Sequence, residues 1–331
     1  MGPRLTGSNM RRAAFVLGLL IGVPFRMFAQ SSPSGTAPSF SGLTRLLSAQ
    51  VARFPGTAGV YVKLLTTGEE AGVHADESFN SASVIKLPIL ALAMQQIDAG
   101  TLSLSTRLTI TAADRRGGTG ILRTFDAGLQ PTLGDVLAQM VITSDNTATD
   151  LAIAQVGGVA RVNAWIDANG GGMKLLYTVA DVFKQAATSG YAANPRAAVT
   201  SDRTYWLGEV TPRAVGHFLE RLQRCGDGAT TSGTALPSPL ASKASCVAML
   251  GMMRQQLAGA RRLPHYLDVP VAHKTGDWPP YLANDVGIVY TKSGPVVIAF
   301  CANGITGSYG EAEDRIGEIA RLVVNYFDGV R

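Results

Sequence analysis

The sequence predicts an α/β chain of the α+β type: a mostly antiparallel five-stranded sheet flanked by helices, plus an all-helical lobe. Strand-like alternation is confined to the two ends of the chain, and the stretch between them carries helical spacing. The N-terminal hairpin is therefore expected to join the C-terminal strands in one sheet, with the middle as a second lobe. At 331 residues, 46% hydrophobic and 16% charged, the chain has apolar side chains enough for a well-filled core.

In order, "LTRLLSAQVARF" (43–54) reads as a short helix, and "AGVYVKLL" and "EAGVHA" around the turn "TTGE" read as a hairpin. Residues 83–99 read as a helix stopped by Gly100, with a bend near its start because Pro88 lacks an amide hydrogen. Residues 130–168 are helical until "ANGGG" breaks them. Residues 173–210 show no strong period and read as a long loop with one short helical piece, the kind of loop that is functional or mobile. "TPRAVGHFLERLQRC" opens a helix with Thr211 as N-cap and Pro212 in the first turn, and another helix runs to about Leu257. Strands are expected at 270–274, 284–291 and 295–302, and a last helix at 310–328. The α/β lobe would comprise about 42–82 and 212–331, and the helical lobe about 83–211.

Residues 1–29 differ in kind. Arg11 and Arg12 precede the apolar "AAFVLGLLIGVPF", and a small-residue exit follows near Ala29, the pattern of a secretory signal peptide. The apolar run is short for a membrane span and holds Pro24, with an uncleaved anchor as the alternative. Residues 30–41 read as a linker and 42–331 as the catalytic domain, secreted to a periplasm, monomeric and without stable membrane insertion after cleavage. The leader carries four arginines and no acid, so its loss lowers the formal charge from +5 to +1 and removes the electrostatic case for nucleic acid. Cys225 and Cys246 could pair, leaving Cys301 in an apolar strand; three buried thiols are an equal alternative. No cysteine or histidine spacing suits a metal, and no cofactor is implied.

Three short strings carry the chemistry. In "FNSASVIKL" Ser83 is followed three residues later by Lys86, and no other of the seven lysines has a serine so placed. A serine hydroxyl needs a base, and a lysine one turn away supplies one if burial and nearby charge lower its pKa. "SDN" at 144–146 and "KTG" at 274–276, ending the first C-terminal strand, each occur once. Ser-x-x-Lys, Ser-Asp-Asn and Lys-Thr-Gly in this order resemble the class A β-lactamases and penicillin-binding proteins. "GGTGIL" (117–122), "TSDNTATDLAIAQVGG" (143–158), "TPRA" (211–214) and "RLP" ahead of "VAHKTG" extend the resemblance over about 40–328.

The resemblance implies a β-lactamase/transpeptidase-like fold and roles for particular residues. Ser83 would be the nucleophile, Lys86 its base, and the amides of Ser83 and Asp277 the oxyanion hole. Ser144 would relay a proton to the leaving nitrogen, and Asn146 would fix Lys86 and meet the acylamide of the substrate. Lys274, Thr275 and Gly276 would line the place of the substrate carboxylate.

The chain also departs from the pattern. Class A enzymes activate the deacylating water with a glutamate, which the family's spacing puts at about Ala180; the local text is "LLYTVADVFKQ", without one. Asp181 is the nearest carboxylate, as catalyst or as helix cap, and Glu209 is a second candidate if the loop folds back. Tyr191, Tyr205 and Trp206 would line the site or pin the loop. An arginine expected on the strand after KTG is replaced by Asn284 and Asp285, and Arg262 or Arg261 could supply that charge instead. His273 reads as a strand residue. The expected function is a serine β-lactamase acting through an acyl-enzyme on Ser83. The alternatives are a DD-peptidase or penicillin-binding protein acting on peptidoglycan stem peptides, a non-catalytic penicillin sensor, and an esterase.

Overall fold

The two periodicities of the sequence sort the chain into one sheet and two sets of helices. The computed structural model describes residues 42–228 and 239–329, so the expected signal peptide and linker lie outside the described residues. After α1 (Gly42–Val51) come the hairpin β1 (Thr57–Leu64) and β2 (Glu70–Val73) and a short β3 (Phe79–Asn80). The helical lobe holds α2 (Lys86–Asp98), α3 (Leu133–Ile142), α4 (Asn146–Gln155) and α5 (Gly158–Ala168). Next are β4 (Met173–Leu175), α6 (Val179–Ala186), α7 (Ser189–Ala193), α8 (Pro195–Thr200) and β5 (Gly208–Val210). The chain then makes α9 (Pro212–Asp227), α10 (Lys243–Arg254), β6 (Val271–Trp278), β7 (Leu282–Thr291), β8 (Gly294–Asn303) and α11 (Tyr309–Phe327).

The five-stranded antiparallel sheet is as expected, in the order β2-β1-β8-β7-β6. Alternation along β8 divides its side chains between two cores. Val296, Ile298, Phe300 and Ala302 pack with Leu43 and Leu47 of α1 and Ile316 and Val323 of α11. Val297, Ala299 and Cys301 face the core shared with α2, α9 and α10. α2 is buried on every side from Lys86 to Met94, the signature of a central helix, which is how a lysine comes to lie in a dry interior. Cys225 and Cys246 form a disulfide joining α9 to α10, and Cys301 is a buried free thiol.

Three expectations need correction. The helix expected from 83 opens as a 3-10 turn, Ala82–Ile85, and becomes α-helical only at Lys86. Pro88 thus falls in the first turn of α2, where an amide has no helical partner to lose. The stretch 173–210 is not a loop with one helical piece; it holds three short helices and two strands. α6 and α8 are held by local caps, Thr178 accepting from the Asp181 amide and Asn194 from the Ala197 amide with Pro195 in the first turn, and the three helices run only five to eight residues. KTG does not end its strand, because β6 continues to Trp278. Gly276 stays extended there, close against the turn that carries Ser83. Among the described residues no helix is long and apolar enough to cross a membrane.

Candidate active site

The turn bearing Ser83 is fixed by side-chain amides. Asn80 Oδ1 accepts from the Ala82 amide at 3.0 Å, and Asn284 Nδ2 donates to the carbonyls of Asn80 and Ser81 at 2.9 and 3.1 Å. Ala82 takes φ 40°, a left-handed conformation costly for a residue with a Cβ, and this strained turn presents the half-buried Ser83 to a cavity of about 680 Å³. Asn284 was seen in the sequence only as a missing arginine. Its amide holds the Ser83 turn to the sheet, a contact across more than 200 residues that no local pattern announces.

Behind Ser83 lie two fully buried lysines. Lys86 Nζ donates to the Ser144 carbonyl at 2.7 Å, to Ser144 Oγ at 3.3 Å and to Asn146 Oδ1 at 3.0 Å, contacts that leave out Ser83. Lys274 Nζ donates to the same Ser144 Oγ at 2.9 Å and to the Thr275 carbonyl at 2.9 Å. Ser144 sits at φ 55°, a second strained position, and its hydroxyl oxygen takes hydrogen bonds from both lysines, leaving its own proton to give. Burial, and next the charge of Lys274, push the Lys86 pKa well below the ordinary lysine value. Burial, helped by Arg262 and opposed by Asp277 and Asp285, lowers Lys274 to about 8. Asp145, the middle residue of SDN, caps α4 through the Ala148 amide at 2.9 Å and takes the Leu122 amide at 2.7 Å, so it holds the turn in place.

β6 is the edge strand of the sheet, so alternate backbone amides along it are free of strand partners. It lies so near the Ser83 turn that a methyl group on Gly276 would stand 2.5 Å from the Ser81 carbonyl oxygen. Thr275 Oγ1 is buried without a hydrogen-bond partner among the described residues. Asp277 lines the cavity, and its carboxylate accepts from Arg262 and from the Tyr309 hydroxyl. Arg262 also lines it, but donates besides to Glu313 at 3.0 Å, the Asn284 carbonyl at 2.9 Å and the Tyr309 hydroxyl at 3.0 Å, so its charge is already matched. Arg261 is tied to Asp314 at 2.8 Å. His273 pairs with buried Asp285 at 2.9 Å within the sheet.

The cavity wall made by α6 is apolar: Val179, Val182, Phe183 and Ala186. The structure does not bring Asp181 to this wall. Its exposed carboxylate turns back to accept from the Thr178 hydroxyl at 2.6 Å and the Thr178 amide at 3.2 Å, completing a capping box. Glu209 pairs with Arg203 and Ser78 on β5, also away from the cavity. Tyr191 lines the cavity and accepts a hydrogen bond from Trp278 Nε1 at 2.9 Å, while Tyr205 and Trp206 are buried. Asp150, unremarked in the sequence, accepts from the amides of Val179 and Ala180 at 2.7 and 2.9 Å and from Arg116 at 2.6 Å, fixing α6 over the site.

A serine turn, a buried lysine pair and an edge strand meeting under a helical lobe are the arrangement of the β-lactamase-like serine hydrolases. The family model described as the beta-lactamase enzyme family matches residues 42–327, and the chain belongs to that family. It is 25% identical over 265 residues to beta-lactamase VEB-1 of Pseudomonas aeruginosa, covering 77% of this chain and 80% of that one. It is 25% identical over 319 residues to a beta-lactamase of Mycobacterium tuberculosis, covering 94% of each. Among solved structures, a beta-lactamase from Sphaerobacter thermophilus superposes with TM-score 0.70 at 27% identity, over 88% of this chain and 98% of that one. PBP-A shares the fold at TM-score 0.70 and 24% identity, over 87% and 97%.

Proposed function

We propose that this hydrolase opens β-lactams by acylating Ser83, with Lys86 as base, and that water releases the acyl group slowly. The observation that carries the reading is the Ser144 hydroxyl shared between Lys86 and Lys274 beside the nucleophile turn. As a neutral amine Lys86 keeps two N–H groups for the SDN turn and frees a lone pair for the Ser83 proton. Ser83 Oγ then attacks the lactam carbonyl, and the amides of Ser83 and Asp277 face the developing oxyanion. The C–N bond breaks as Ser144 gives its proton to the nitrogen and recovers one from Lys86. Lys274 and the unpartnered Thr275 hydroxyl suit the substrate carboxylate, with Arg262 adding field rather than contact.

Release needs a second base. The α6 wall supplies none, so the burden falls on Lys86, and a water there has no carboxylate to orient it. The same apolar wall favours a second reading, a penicillin-binding DD-peptidase whose natural acyl donor is a peptidoglycan stem peptide. The leader, if cleaved, would deliver either protein to the periplasm. Labelling with a fluorescent penicillin tests the shared step: the wild type should carry one label and Ser83→Ala none. A label that persists on Ser83→Ala places the nucleophile elsewhere.

A further inference from the structure

Among the described residues, three charged side chains line the cavity over Ser83, and two of them are acids: Arg262, Asp277 and Glu313. The guanidinium is the deepest of the three. Its side chain is 2% exposed, whereas those of Asp277 and Glu313 are each 18% exposed, so a molecule entering the cavity meets the carboxylates first. Arg262 is also nearly out of hydrogens. Nε gives one to Glu313, Nη1 one to the Asn284 carbonyl and Nη2 two, to Asp277 and the Tyr309 hydroxyl, which leaves a single N–H on Nη1. Asp277 stands on β6 two residues beyond Thr275, so their side chains share one face of the strand, roughly 7 Å apart along it. An anion received by the Thr275 hydroxyl and Lys274 therefore has an acid for a neighbour.

We propose that Asp277, together with Glu313, is a specificity-determining residue that withholds Arg262 from the substrate, so that acyl donors with a neutral ester or carboxamide in place of the carboxylate are accepted nearly as well as anionic ones. The inference rests on the acyl-enzyme reading above and adds a substrate class to it. With Lys86 neutral, as that mechanism requires, the cations near the Thr275 hydroxyl are Lys274 and Arg262, and the acids set against them are Asp277 and Glu313. Asp285 of the adjoining strand is paired with His273. The charges sum to about zero, so a carboxylate gives up its water there for little net attraction. A neutral carbonyl has less water to lose and still accepts from the Thr275 hydroxyl. Asp277 thus acts twice: its backbone amide faces the oxyanion, and its side chain sets which leaving-side group the cavity takes.

The test is the ratio of second-order constants for acylation of Ser83 by a phenylacetamido penicillin and by its methyl ester, followed by intact-protein mass. Measurement at about pH 6, below the Lys274 value of about 8, keeps that lysine charged. The ratio cancels any change in Lys86 or in the Asp277 amide, which both compounds use alike. The wild type should favour the acid by less than about tenfold. Asp277→Asn should raise the ratio at least about tenfold, and Glu313→Gln should raise it by more than about threefold. Asp277→Glu, which keeps the charge, should stay near the wild-type ratio. Glu313→Gln lies on α11 and carries the test if Asp277→Asn fails to fold. A wild type that itself favours the acid by more than about tenfold, or neutral variants whose ratios stay within about threefold of wild type, would overturn the role of the acids while leaving acylation of Ser83 intact. No adduct from either compound would overturn the acyl-enzyme reading, and this inference with it.

Discussion

Ser144 accepts from two buried lysines of unequal character. In the proposed mechanism Lys86 must be neutral to take a proton from Ser83, and Lys274 must be charged to attract an anionic substrate. Burial lowers both, and the positive charge of Lys274 lowers Lys86 further. Acylation by an anionic β-lactam should therefore fall on the acid side as Lys86 gains a proton, and on the alkaline side as pH rises through about 8, where Lys274 loses one. Lys274→Ala removes a positive charge beside Lys86, which favours protonated Lys86 and raises its pKa. In a pH profile of the acylation constant the acid limb should move to higher pH and the limb near 8 should vanish; an acid limb that stays in place contradicts the coupling. The residues of this cluster were legible because each belongs to a short contiguous string. Asn284 and Asp150 were not, since their roles are hydrogen bonds to backbone from distant parts of the chain, where the local text looks like any strand or helix.

α6 is the element on which sequence and structure differ most in consequence. The text "TVADVF" offered a carboxylate near the position of the missing glutamate. In the helix it forms, Asp181 serves the N-terminus while the neighbours Val179, Val182 and Phe183 take the cavity. The capping pattern Thr178-x-x-Asp181 was present in the sequence and would have assigned the acid to the cap. Asp181→Asn should thus leave the rate of acyl release unchanged while costing stability of about 0.5–1 kcal/mol through the weakened capping box, read from chemical denaturation. A release rate that falls tenfold or more would return Asp181 to the mechanism. The short helices and strands of 173–210 escaped prediction because they run only three to eight residues, too short for a period to stand out from the surrounding turns. The five-stranded sheet was foreseen because its C-terminal strands are long, eight to ten residues, and β7 and β8 carry apolar, β-branched runs that survive in the text.

Across the whole molecule, three sequence-distant segments meet at one cavity because the sheet edge β6 is pressed against the turn before α2. Gly276 permits the approach; its missing side chain lets the strand pass the Ser81 carbonyl. The helical lobe contributes SDN and the α6 wall, and the disulfide between α9 and α10 ties together two of the helices that share a core with the sheet. On the proposed reading this assembly supplies a nucleophile, a low-pKa lysine and a carboxylate-binding edge, while the α6 wall of the cavity presents no acid. Its central claim is thus kinetic: acylation driven by the lysine pair outruns release. The most direct measurement is the intact mass of the protein, with peptide mapping of the adduct, from seconds to hours after mixing with a phenylacetamido penicillin. One acyl group on Ser83 that forms within the first samples and outlasts them by tens of minutes is the expected result. An adduct on another residue, or one that clears within seconds through many turnovers, would contradict the account.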